Sequence, residues 1–221
     1  GPLFTPPSLR GTLLRPTTSG GADWGGAAFD HESGLLYVRT SEGTNINQVC
    51  LNRSDDPNID VEYSNNCPHG ANAIIFQLAN RRGAAEIVRS KLAPIPLIKP
   101  PYAYLVAIDL NNGDIAWKVP FGEGSRILRN HPLLRGVDLP DRLGTPGNPG
   151  PMVTKSDLLF IGGGDPYLYA FDKATGEEVW RGATPNRTSA NPMTYRARSG
   201  RQFVVIATGA GPDASLVAFA L

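Results

Sequence analysis

The chain has 221 residues, with 21 Lys and Arg against 20 Asp and Glu, a formal net charge of +1 and 41% apolar residues. Its 25 glycines and 20 prolines are about a fifth of the sequence, against a usual share of about 12%, which excludes a helical bundle or coiled coil and favours short strands joined by many turns. The balanced charge, with no basic run, excludes a nucleic-acid surface, and no apolar stretch approaches the roughly 18 residues that span a bilayer.

The opening Gly1-Pro2-Leu3-Phe4-Thr5-Pro6-Pro7 lacks the basic and apolar regions of a signal peptide. The first strands are expected between Trp24 and Thr40. There Gly-Gly-Ala-Ala-Phe-Asp passes through the turn residues His31-Glu32-Ser33-Gly34 into Leu35-Leu36-Tyr37-Val38, a hairpin pattern. A polar segment from Ser41 to Gly70 follows and reads as an insertion loop. It holds Cys50 and Cys67, with no Cys-x-x-Cys-His haem motif. A local disulfide and two free thiols both fit this spacing, and a disulfide would imply an oxidising compartment. Residues 71–92 suggest a helical turn or two, interrupted at Gly83, and the proline-rich 93–101 reads as an extended connector.

From Tyr102 the chain repeats itself. Tyr104-Leu105-Val106-Ala107-Ile108-Asp109-Leu110-Asn111-Asn112-Gly113-Asp114-Ile115-Ala116-Trp117 returns 63 residues later as Tyr167-Leu168-Tyr169-Ala170-Phe171-Asp172-Lys173-Ala174-Thr175-Gly176-Glu177-Glu178-Val179-Trp180. Both copies read Ala-x-Asp-x-x-x-Gly-x-x-x-Trp. The pattern describes a hairpin whose Asp accepts backbone N–H bonds in the turn, whose Gly supplies a positive φ, and whose Trp enters a packing layer. Further apolar strands precede each copy, at 25–29 with 35–38 and at 150–154 with 158–162, so each full unit has four strands. A third unit starts at Asn191-Pro192-Met193-Thr194-Tyr195 and stops at Leu221 with its last strand missing. Four-stranded units in series are propeller blades. The expected fold is all-β: a partial β-propeller of about three blades. Blade 1 covers about 12–120 with an insertion at about 45–98, blade 2 about 145–185, and an incomplete blade 3 about 188–221.

The Ala-x-Asp-x-x-x-Gly-x-x-x-Trp repeat resembles the tryptophan-docking motif of pyrroloquinoline-quinone (PQQ) dehydrogenases, the eight-bladed quinoprotein propellers. Gly20-Gly21-Ala22-Asp23-Trp24-Gly25-Gly26 is similar to the Gly-Gly-x-Asn-Trp-Gly-Gly segment of the membrane-bound quinoprotein glucose dehydrogenases. Gly1 to Ser8 resembles the strand before that segment, and Ala190 to Tyr195 with Gly200 to Val205 resembles the C-terminal blade. The resemblance implies PQQ on the propeller axis beside a calcium ion, with a carboxylate base assisting hydride transfer from a sugar or alcohol. Ubiquinone or a cytochrome would accept the electrons. It implies a periplasmic enzyme, associated with the inner membrane through a segment outside this chain. Only the C-terminal third of the family is matched, so the base, the calcium ligands and the remaining blades lie elsewhere, and this chain alone is expected to be inactive. The competing reading is a non-catalytic propeller scaffold for protein binding, which has no need of the glycine-rich segment.

The cofactor-binding candidates are Asp23 and Trp24. Asp23 stands where the family has an asparagine that contacts the quinone. A carboxylate only accepts hydrogen bonds, so Asp23 either reaches the cofactor through a water or as the acid, or caps local N–H groups. Trp24 either faces the axis or packs between blades. Trp117 and Trp180 are expected to dock between blades, with Asp109 and Asp172 capping turns. Gly162-Gly163-Gly164-Asp165 lacks the Gly-Lys-Ser/Thr ending of a phosphate loop. His31, His69 and His131 show no metal-ligand spacing.

Overall fold

The computed structural model describes residues 2, 4–9, 11–17, 20–22, 24–47, 49–51, 63, 64 and 95–220. The expected helical turns at 71–92, Cys67 and Asp23 lie outside these residues. In chain order the strands are β1 (Thr12–Leu14), β2 (Ala27–Asp30), β3 (Leu35–Ser41), β4 (Asn45–Asn47), β5 (Cys50–Leu51), β6 (Tyr63–Ser64), β7 (Ala103–Asp109) and β8 (Asp114–Pro120). A one-turn helix α1 (Arg126–Arg129) and a 3-10 turn (Pro132–Leu134) follow. Then come β9 (Met152–Val153), β10 (Leu158–Gly162), β11 (Tyr167–Asp172), β12 (Glu178–Ala183), β13 (Met193–Arg196), β14 (Gln202–Thr208) and β15 (Ser215–Ala220).

The chain divides into two compact units. Residues 1–20, 43–99 and 126–137 form the first. In it β1 pairs antiparallel with β4, and β5 with β6. His131 caps the 3-10 turn by accepting the Leu133 N–H at Nδ1.

The second unit, residues 21–42, 100–125 and 138–221, contains three antiparallel sheets in sequence order. Their strand orders are β2-β3-β7-β8, β9-β10-β11-β12 and β13-β14-β15, so two sheets have four strands and the last has three. The middle strands show why these residues fold this way. Successive side chains of a strand point to opposite faces. In β10 and β11, Leu159, Ile161, Tyr169 and Phe171 join Tyr37, Leu105, Ala107 and Phe121 in one buried core. The alternate residues Phe160, Leu168 and Ala170 join Val204 and Ile206 in another. A sheet apolar on both faces must sit between two others, and each large side chain so buried contributes roughly 1.5–3 kcal/mol.

The repeated turns are built as their residues dictate. Asp109 Oδ1 accepts the Asn111 N–H at 2.9 Å, and Asp172 Oδ1 accepts the N–H groups of Ala174 and Thr175 at 3.0 and 2.8 Å. Trp117 docks on the second sheet, with Nε1 donating to the Lys173 carbonyl at 3.1 Å. Trp180 meets Phe219 of the third sheet edge to face, centroids 5.2 Å apart.

A largely buried ion pair closes the turn end of the first two sheets. Lys173 Nζ lies 2.9 Å from Asp30 Oδ2, which also accepts from Ser33 Oγ at 2.8 Å. Lys173 foremost, then Ser33, hold the Asp30 carboxyl below its ordinary range, and Asp30 raises Lys173 in turn. A carboxyl with a lowered folded pKa stabilises above its unfolded value, and that contribution disappears as pH falls through the folded value. The lysine contributes below its ordinary range and loses its contribution as pH rises through its raised value. Asp30→Asn is therefore expected to cost about 2 kcal/mol near neutrality, the worth of a charge-assisted hydrogen bond. It should also flatten the decline of stability below about pH 4, read from urea midpoints across pH.

Candidate functional site

Because neighbouring strands alternate in direction, tight turns gather at one end of the second unit and longer connections at the other. The lead-ins to β2, β9 and β13, the segment between β10 and β11, and the end of β3 all fall at the second end. The described glycines of the glycine-rich segment are there, held on both sides of Trp24. On one side the Ser41 N–H donates to the Gly21 carbonyl at 2.6 Å. On the other, Gly25 crosses the backbone of 148–150 so closely that a Cβ on Gly25 would overlap the Asn148 carbonyl oxygen. A Cβ on Gly150 would overlap the Gly25 carbonyl oxygen in the same way. Asn191 clamps the crossing: Nδ2 donates to the Gly25 carbonyl at 2.9 Å, and Oδ1 accepts the Gly150 N–H at 2.7 Å. Gly25, Gly150 and Asn191 occupy equivalent places just before the first strand of each sheet, so the clamp ties three blades at their inner strands.

Trp24 is 77% exposed. Among the described residues it is not held between sheets. With its backbone anchored beside Gly25 and Gly26, it presents a free aromatic face at the loop end.

Behind this rim lies Arg39, only 4% exposed. One terminal nitrogen donates to the Thr145 carbonyl at 2.5 Å and the Gly163 carbonyl at 3.0 Å, and the other donates to the Gly162 carbonyl at 3.2 Å. Its guanidinium carbon lies 4.9 Å from the centre of the Phe121 ring. Burial pulls its pKa down to about 10, which leaves it a cation at neutral pH. Two residues on, Ser41 Oγ accepts the Gly147 N–H at 3.2 Å and donates to the Gly147 carbonyl at 3.3 Å. The Gly162-Gly163-Gly164-Asp165 segment thus wraps an arginine rather than a phosphate. Its Asp165 accepts from the Tyr169 hydroxyl at 2.7 Å, and burial raises the pKa of both groups. Outside them, Arg181 bridges Glu123 and Glu178 at 2.8 and 2.7 Å, and Arg142 also pairs with Glu178.

Sequence reasoning missed Arg39 and the clamp. The available signals were a cation inside the apolar strand Leu35-Leu36-Tyr37-Val38-Arg39 and a Gly-Pro or Asn-Pro step before two inner strands. Among the described residues no group of three or more His, Cys, Asp or Glu is placed to hold a metal ion, and no helix is long and apolar enough to cross a membrane.

A family model described as the PQQ glucose/ethanol/alcohol dehydrogenase β-propeller domain matches residues 1–204. The glycerol dehydrogenase large subunit of Gluconobacter thailandicus is 31% identical, over 93% of this chain and 28% of its own length. The quinoprotein glucose dehydrogenase of Escherichia coli strain K12 is 28% identical, over 94% of this chain and 26% of its own. The crystal structure of the quinohemoprotein alcohol dehydrogenase from Comamonas testosteroni superposes on 90% of this chain and 24% of that one, with a TM-score of 0.53 at 19% identity. The last likeness establishes the fold. The chain spans about a quarter of the length of the curated relatives it matches.

Proposed function

Since the chain belongs to the PQQ-dependent glucose/ethanol/alcohol dehydrogenase β-propeller family, we propose that it is the C-terminal arc of a periplasmic quinoprotein dehydrogenase that oxidises a sugar or polyol and passes electrons to a quinone. The observation that carries this reading is the free face of Trp24 on a segment pinned on one side to the end of β3 and on the other to Asn191 before β13. PQQ is a flat, anionic orthoquinone that accepts hydride when bound. A rigid indole offers such a ring apolar contact and stacking at little entropic cost. Glycine-lined backbone beside the indole leaves room for the ring to approach. Trp24 would supply the stacking face. Asp23, as a carboxylate, would serve the cofactor only as an acceptor toward a water or a protonated group.

Among the described residues no group of three or more His, Cys, Asp or Glu is placed to hold a calcium ion. Metal ligands and the carboxylate base are assigned to the other blades. The likeness to a glycerol dehydrogenase and a glucose dehydrogenase supports a polyhydroxylated substrate.

The reading has a direct test in activity. The purified 221-residue chain, given PQQ, calcium ions and either glucose or glycerol, is expected to leave an artificial electron-accepting dye unreduced. Mixing it with a polypeptide carrying the preceding blades is expected to restore reduction. Turnover by the chain alone would overturn the assignment of the base to other blades.

A further inference from the structure

We propose that Arg39 is the positioning residue for the cofactor-side rim, holding the backbone beside Trp24 in place through the 145–150 segment; this rests on the reading of that rim as the PQQ side. Arg39 touches none of residues 21–26 in any interaction described above. It acts through its neighbours.

The inference begins from a cost. A buried guanidinium whose hydrogen-bond partners are all carbonyls is expensive, and those acceptors, a ring face and the nearby charge of Asp165 offset only part of that expense. Nε, also buried, has no hydrogen-bond partner among the described residues. An apolar side chain would fill this space between sheets without that cost. What it lacks is a planar fork able to hold several carbonyls at fixed angles. Arg39 uses its fork on two different segments, Thr145 on one and Gly162 and Gly163 on the other.

The Thr145 segment leads straight to the rim. Two residues beyond the carbonyl held by Arg39, Gly147 exchanges two hydrogen bonds with Ser41 Oγ. Three residues further, Gly150 crosses Gly25 under the Asn191 clamp. The Ser41 N–H grips Gly21, so these connections hold the chain on either side of Trp24. Arg39 and Ser41 point to the same face of β3 and hold the same segment two residues apart. With Arg39 gone, the 145–147 backbone loses its buried anchor, and the position of Gly150 under Gly25 is no longer fixed.

The test uses the 221-residue chain and three variants, Arg39→Lys, Arg39→Met and Ser41→Ala. Residue-resolved amide hydrogen exchange is the first readout, and equilibrium dialysis against PQQ the second. Positioning predicts that the amides of Gly147 and Gly150 exchange about tenfold faster or more in both Arg39 variants, the factor for losing a charge-assisted hydrogen bond, and that the Gly150 amide exchanges about threefold faster or more in Ser41→Ala, which loses neutral bonds. Those of Leu105 and Ala170, in the middle strands, should stay unchanged. The PQQ concentration for half-saturation should rise by a similar factor. Lysine keeps the charge but not the fork and should not rescue. Should Arg39→Met fail to fold, Arg39→Lys and Ser41→Ala still decide the outcome. Uniform acceleration across the sheets, or none at Gly147 and Gly150, overturns the proposal in favour of a purely structural pin. Unchanged PQQ binding in Arg39→Lys also overturns it. Absence of PQQ binding by the unmutated chain would instead count against the cofactor-side reading, while the exchange data would still judge the role of Arg39.

Discussion

Gly150→Ala is expected to destabilise the second unit by about 3 kcal/mol or more, mostly through backbone displacement. The new Cβ would occupy the place of the Gly25 carbonyl oxygen. Backbone cannot rotate aside as a side-chain tip can, and overpacking of this kind costs about 1–3 kcal/mol, occasionally more. Separating the two segments also strains the Asn191 clamp, which bonds both Gly25 and Gly150. Each partially buried hydrogen bond lost without replacement adds about 1 kcal/mol. For a protein of this size the sum corresponds to a fall in Tm of roughly 6–12 °C, measurable by thermal unfolding followed by circular dichroism. Asn191→Ala, which removes the clamp but adds no clash, should fall between the unmutated chain and Gly150→Ala. A Tm within 2 °C of the unmutated chain for Gly150→Ala would mean that the two backbones do not cross as described.

The second large effect comes from comparing the two copies of the repeat. Gly113 and Gly176 hold the same place in their turns, with φ of +81° and +74°. An alanine in either position meets the same left-handed backbone cost, about 1–2 kcal/mol. Their surroundings differ. A Cβ at Gly113 would meet nothing within 4 Å, whereas at Gly176 it would lie 2.6 Å from the Trp117 ring. That ring is the one docked between the first two sheets. Gly176→Ala should therefore lose about 1–3 kcal/mol more than Gly113→Ala, because the indole must withdraw from its contact and from the Lys173 carbonyl. Urea denaturation of the two variants side by side reads the difference directly. Equal losses would show that the tryptophan does not rest on the neighbouring turn.

These cases also explain what the sequence could and could not reveal. Asp109, Gly113 and Trp117, and their counterparts Asp172, Gly176 and Trp180, act on neighbours within a few positions or on the next repeat. Their spacing therefore recorded their roles, and the four-strand blades followed. The apolar run 158–162 was legible as a strand for the same reason. Arg39 was not, since its partners lie 106 to 124 positions away. Asn191, which joins Gly25 across 166 positions, was equally hidden. A long-range contact leaves no period in a single sequence. A tryptophan in a blade protein reads as an inter-blade wedge, and the 77% exposure of Trp24 within this arc was not visible in the local pattern.

The exposed indole also supplies the most direct measurement. Trp24, Trp117 and Trp180 are the three tryptophans of the chain, and only Trp24 stands at the loop end without a docking contact. Titrating PQQ into the 221-residue chain should quench part of the tryptophan emission in a saturable manner. In Trp24→Phe the remaining emission, from Trp117 and Trp180, should stay constant over the same titration. Emission that shows no saturable change in the unmutated chain, or that is quenched equally in Trp24→Phe, would contradict the placing of the cofactor at this rim and favour a propeller arc used as a scaffold.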